Sequence, residues 1–184
     1  FQWAEFHKWK FTTQWFNRLT RSKSQHDLVL MLRAGYGFLG KYNSAIGQSP
    51  FERFYLGGSG LTGFQLDGRE IIALRGYDDL SLTPTTGSFF VNKFTAELRF
   101  PVSLNPSATI FATTFVEGGN AWNDIKRYDP FHLYRSAGIG LRLFLPMFGP
   151  MGLDYAWRFD DVPGAPSMAK SQFHFTIGID LGEL

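Results

Sequence analysis

The side chains able to do chemistry are few and scattered. His7, His26, His132 and His174 lie far apart in the chain, and no two have the spacing of metal ligands. Ser136 and His174 share one strand parity, but a nucleophile and its base need neighbouring strands, and these two fall on strands that are not adjacent. Asp160 and Asp161 stand at a loop entrance without the ligand set that calcium needs. Asp154 and Arg158, four residues apart on a strand-like run, share a face and read as part of an interior salt-bridge network. With no cysteine in the chain, disulfide scaffolds and thiolate metal sites are excluded. The expectation is a protein that is not an enzyme, with no metal and no cofactor. One group stands apart: Arg75 follows Ile71-Ile72-Ala73-Leu74 and precedes Gly76-Tyr77. Glycine permits a turn there without a Cβ clash. A guanidinium carried inward on such an apolar segment needs a partner, because an unpaired buried charge is costly.

The elements that must position these groups announce themselves by alternation. Phe173, Phe175, Ile177, Ile179 and Leu181 alternate with Gln172, His174, Thr176, Gly178 and Asp180. Met151, Leu153, Tyr155, Trp157 and Phe159 alternate with Gly152, Asp154, Ala156, Arg158 and Asp160. Upstream, Leu28, Leu30, Leu32, Ala34, Tyr36 and Phe38 are interleaved with Val29, Met31, Arg33, Gly35 and Gly37. Phe90, Phe94, Ala96, Leu98 and Phe100 oppose Lys93, Thr95, Glu97 and Arg99 in the same way. Successive strand side chains point to opposite faces, so each run has one apolar and one polar face. About ten residues is what a tilted strand needs to cross a bilayer, whereas soluble sandwich strands are about half that length. The fold expected is all-β, an antiparallel transmembrane β-barrel.

Composition agrees. Aromatic residues make up 17% of the chain and include 20 Phe, as interfacial girdles require, while half of every strand remains free to face a polar interior. No run of apolar residues is long enough for a transmembrane helix or a signal segment. A net charge of +2 is too small to argue for nucleic acid; Arg18, Arg21 and Lys23 read as a solvated loop. The chain opens at Phe1 inside a strand-like pattern, so it reads as a piece of a longer polypeptide.

Eight strands are expected, at about 2–19, 25–41, 51–57, 88–102, 106–121, 132–146, 149–160 and 170–182. The links at 102–106 and 146–150 are short and proline-marked, and those at 122–131 and 161–169 are longer and polar. Outer-membrane barrels carry short turns on one side and long loops on the other. The connection 58–87 is exceptional in length and rich in glycine. Asp67-Gly68 within it, flanked by Phe64, Leu66, Ile71 and Ile72, signals a local hairpin, and Arg75-Gly76-Tyr77 should form its tip. The interior of an eight-stranded barrel is filled by side chains. A loop of this size folded inward therefore demands a wider barrel with strands upstream of Phe1. A loop left outside would allow a small closed barrel.

Four segments together resemble the BamA family of outer-membrane β-barrel assembly insertases, over essentially the whole chain. Phe51-Glu52-Arg53-Phe54-Tyr55-Leu56-Gly57-Gly58 is similar to the entry of that family's long inward loop, and Leu74-Arg75-Gly76-Tyr77 to its tip. Phe115-Val116-Glu117-Gly118-Gly119-Asn120-Ala121-Trp122 resembles the strand that receives the tip. Arg135 to Arg142, Gly149-Pro150, Asp154-Tyr155-Ala156 and Gln172 to Gly178 resemble the closing strands.

The resemblance implies that residues 1–184 are the C-terminal half of a sixteen-stranded barrel in the bacterial outer membrane, with the upstream strands and periplasmic domains absent. It implies an insertase for unfolded outer-membrane protein clients, working with accessory lipoproteins and the lipid bilayer and not with nucleic acid. Strand parity makes Glu117 the partner of Arg75: it turns Glu117, Phe115 and Phe111 inward and Ile110, Ala112, Thr114 and Val116 to lipid. The carboxylate would engage the guanidinium and the Phe115 ring would stack on it. The family pattern has Asp where Glu117 stands, so the reach of the contact changes here. The resemblance also makes Gln172, Phe173, Phe175, Ile177, Gly178 and Leu181 the lateral seam strand, with a bend at Gly178. The chain departs from the pattern at its end, where Leu181-Gly182-Glu183-Leu184 replaces a terminal aromatic. Two rival readings share these features: a two-partner-type protein-secretion transporter on the same barrel, and a small closed structural barrel.

Overall fold

The computed structural model describes residues 5–21, 26–42, 47–58, 70–147, 149–162, 164–165, 167 and 169–177. Alternating sequence becomes nine strands: β1 (Phe6–Arg18), β2 (Val29–Lys41), β3 (Phe54–Leu56), β4 (Glu70–Ile72), β5 (Phe90–Asn105), β6 (Ala108–Trp122), β7 (Tyr134–Leu145), β8 (Gly149–Arg158) and β9 (Ser171–Ile177). Seven of them form one antiparallel wall in the order β1-β2-β5-β6-β7-β8-β9. Among the described residues β1 and β9 share no ladder, so each is an edge.

Register sorts the wall into two faces. Arg33, Thr95, Glu117, Ser136 and Arg158 stand opposite one another across successive strands, as do Glu97, Phe115, Gly138, Ala156 and Gln172. A further row runs Arg99, Thr113, Gly140, Asp154, His174. These rows form the inner face. The opposite face carries Leu32, Tyr36, Phe100, Val116, Ile139, Trp157 and Phe173, all exposed, as a lipid-facing belt requires. The short links from β5 to β6 and from β7 to β8 lie at one end of the wall, and the longer links from β6 to β7 and from β8 to β9 at the other.

The wall has seven strands among the described residues, not the eight expected, because residues 51–57 leave it. Their core, β3, pairs in parallel with β4 in a separate two-stranded sheet. The reason is visible in the side chains: Phe54, Tyr55 and Leu56 are all buried. A strand buried on both faces suits the inside of the loop, not a wall with one face to lipid. Positive φ at Glu52, Gly57 and Gly58 turns the chain at both ends of β3. Phe54 presses on the wall where Gly37 makes room; a Cβ there would lie 2.7 Å from the Phe54 ring.

The apolar core therefore lies inside the wall. Phe54, Leu56, Ile72, Leu74, Tyr77 and Leu82 of the inward segment pack with Leu39, Phe89 and Val91. Such burial is worth about 2 kcal/mol per large side chain, so the loop is a stable part of the fold. Salt bridges fasten it to the first edge: Lys8 Nζ lies 2.8 Å from Glu52 and 2.6 Å from Glu70. The Asp67-Gly68 hairpin signal lies outside the described residues.

Candidate functional site

The inward segment delivers residues 75–77 to the inner face of β5, β6, β7, β8 and β9. The Arg75 Nη2 donates to Glu117 Oε1 at 2.6 Å and to Glu97 Oε2 at 3.4 Å, and Nη1 donates to Asp154 Oδ1 at 3.2 Å. The other Glu117 oxygen accepts the Arg75 backbone N–H at 3.2 Å. Glu117 thus spans side chain and main chain of one residue. Thr95 Oγ1 donates to the same carboxylate at 3.2 Å. Beneath the guanidinium lies the Phe115 ring, its centroid 3.4 Å from Arg75 Cζ. All the charged partners are buried, with Asp154 1% and Glu97 and Glu117 each 3% exposed.

Three carboxylates around one guanidinium would repel one another, but each also meets a second cation. Glu117 faces Lys93 at 3.6 Å, Glu97 faces Arg99 at 2.7 Å, and Asp154 faces Arg142 at 2.9 Å. This alternation of sign lets buried charge persist, since charge-assisted hydrogen bonds offset desolvation. Burial works against the Arg75 cation, yet Glu117, then Asp154 and Glu97, outweigh it and hold its pKa above the ordinary guanidinium value. A cavity of about 410 Å³ borders the cluster, lined by Arg33, Lys93, Arg99, Phe111 and Met151 among others.

Glycines make the fit possible. Gly138 lies opposite Phe115, where a Cβ would collide with the Phe115 ring and the Tyr155 carbonyl oxygen. Gly76 has φ +91°, and a Cβ on it would sit 3.3 Å from the Arg158 nitrogen and Ser136 Cβ. Its N–H donates to His174 Nε2 at 2.8 Å. Tyr77 is fully buried, donates its hydroxyl to the Arg135 carbonyl at 2.7 Å and meets the Tyr134 ring edge-on. Burial, followed by the field of Asp160, raises its phenol pKa. Gln172 Nε2 donates to Asp78 Oδ1.

The structure thus brings Arg75, Gly76, Tyr77, Glu117 and Phe115 together, with Gln172 at the far side of the tip. Phe173, Phe175 and Ile177 are exposed on the outer face of β9. Gly178 and Leu181 lie outside the described residues. The interior network expected of Asp154 forms, with Arg75 and Arg142 as its donors, while Arg158 bonds Asp161 and the carbonyls of Asp160 and Ala169. Glu97, Asp154 and His174 were not anticipated as tip partners, although their inward parity was the available signal. Among the described residues no three His, Asp or Glu side chains converge on a point that could hold a metal ion. Chemically the arrangement is a clamp: it fixes a loop by charge, a ring face and backbone donors.

The Omp85 superfamily domain matches residues 1–181. The fold is similar to the crystal structure of BamA from Haemophilus ducreyi lacking POTRA domains 1-3, with a TM-score of 0.65 and 18% sequence identity. That likeness covers 92% of this chain and 34% of the other, so this chain spans about a third of its length. No curated protein matches the chain.

Proposed function

The chain belongs to the Omp85 superfamily, and on that premise we propose that it supplies the C-terminal half of a sixteen-stranded insertase barrel. In this reading the protein folds and inserts other β-barrel proteins into the outer membrane of Gram-negative bacteria. It is not an enzyme. Its clients are unfolded outer-membrane proteins, and upstream periplasmic domains and accessory lipoproteins complete the machine. The observation that supports the reading is the loop tip clamped against the inner face by Glu117, Glu97, Asp154 and Phe115, since a barrel that holds such a loop must be wider than one whose interior is filled by its own wall side chains. A closed barrel has no edges, whereas an insertase needs one that can open and template a client strand by backbone hydrogen bonding. The clamp would keep the wall in shape while the seam at Gln172, Phe173, Phe175, Ile177, Gly178 and Leu181 parts.

The test locks the seam. A disulfide between a cysteine replacing Ile177 and one on the first strand of the full-length protein should abolish client insertion into vesicles, and reductant should restore it. Full insertion by the locked protein would reject the lateral seam. Passenger secretion without any client insertion would place the protein on the secretion branch instead.

A further inference from the structure

Besides its ladder with β8, β9 is tied to the inward loop from its inner face. Two of its inward side chains reach the loop tip. His174 Nε2 accepts the Gly76 N–H at 2.8 Å, and Gln172 donates to the Asp78 carboxylate. The two lie on one face and bracket the tip from Gly76 to Asp78. We propose that His174 and Gln172 are positioning residues that strap the seam strand to the seated loop, so that β9 is held while the tip is docked and freed when it withdraws. The proposal rests on the lateral-seam reading above and says what gates that seam.

Gly76 leaves little choice of partner. Its N–H is buried, its φ is +91°, and the main chain of Trp157 and Arg158 closes on the space where a Cβ would be. A buried backbone donor must find an acceptor, and His174, itself 6% exposed, supplies it. To accept at Nε2 the imidazole must be neutral with its proton on Nδ1; a protonated ring has no lone pair to offer. The charged groups around it are Asp154 on β8, Glu117 on β6, and Asp79 and Arg75 of the loop. Coupling of this kind is reciprocal: whatever seats the tip steadies β9, and whatever pulls β9 away loosens the tip by the same factor.

Hydrogen exchange of the full-length protein in a bilayer reads the strap directly. His174→Leu removes the acceptor and should speed exchange of 73–78 and of 171–177 together, by about tenfold. His174→Gln retains an acceptor and should leave both segments near wild type. In the wild type both segments should open as pH falls through the imidazole titration, and the Gln variant should lack that step. Faster exchange at the tip with β9 unchanged, or no change at either, would overturn the strap. Should His174→Leu fail to assemble, Gln172→Leu tests the second tie, with 171–177 expected to open and an unchanged strand counting against the proposal. Client insertion, measured separately, reads the function, so the strap and the insertase reading can fail independently.

Discussion

Glu117 on β6 and Phe173 on β9 both belong to wall strands, yet their surroundings differ in kind. β6 runs 15 residues between β5 and β7, and Glu117 bonds a guanidinium, a backbone N–H and a hydroxyl. β9 runs 7 described residues against β8 alone, and Phe173 is 65% exposed on the outer face. The same alternating pattern builds both. The difference teaches where rigidity lies: the middle of the wall holds the inward loop through a buried ion-pair cluster, while β9 holds it through the hydrogen bonds of Gln172 and His174.

The largest effect should come from the centre. Glu117→Ala leaves Arg75 buried with its two longer contacts only, and breaking a buried pair costs about 3 kcal/mol. Protease resistance and hydrogen exchange of 70–87 should report the loop undocking, while the β1–β8 ladders persist. If 70–87 stays protected, the clamp is not what holds the loop, and the contrast with the edge disappears.

A smaller but sharper effect comes from Gly138→Val. The new side chain must displace the Phe115 ring or the Tyr155 carbonyl, an overpacking that costs about 1–3 kcal/mol. Ile139→Val, one residue along and facing outward, should shift thermal unfolding far less. Equal shifts would mean that the inner face is no more tightly packed than the lipid face. Next in size is Tyr77→Phe, which removes one hydrogen bond to the Arg135 carbonyl and should cost about 1 kcal/mol in loop docking, read by exchange at 76–78.

Much of this was legible in the chain. Phe111, Phe115 and Glu117 turn inward and Val116 outward as period two demands, because a wall between lipid and lumen tolerates no other assignment. Residues 54–56 misled because a short apolar run does not say whether it faces lipid or is buried on both sides. Glu97 and Asp154 share the parity of Glu117, but which of several inward carboxylates reaches Arg75 depends on strand order and loop depth. Neither is written in local sequence. Asp154 accepts from Arg142, two residues along β7 from its ladder partner Gly140, and from Arg75, so the network that its inward parity announced forms across strands.

The smallest effect should lie at the rim, and it tests whether rim and lumen are independent. Asp160 accepts the Arg135 backbone N–H at 2.7 Å and its guanidinium at 2.8 and 3.1 Å. The hydrogen bonds from Arg135 hold the Asp160 carboxyl below the ordinary carboxylate range. A depressed pKa means that the stabilisation is present above the ordinary carboxylate value and is lost as pH falls through the depressed one. Because the pair is exposed, water and salt screen it, so little stability rides on it. Asp160→Asn should therefore speed exchange only modestly around 159–170, and high salt should bring the wild type close to the variant. The Arg135 carbonyl also holds the Tyr77 hydroxyl, which gives the measurement its edge. Protection at 75–77 should be untouched by Asp160→Asn; if it falls together with the rim, tip and rim form one cooperative unit, and the division between a fixed centre and a loose periphery is drawn in the wrong place.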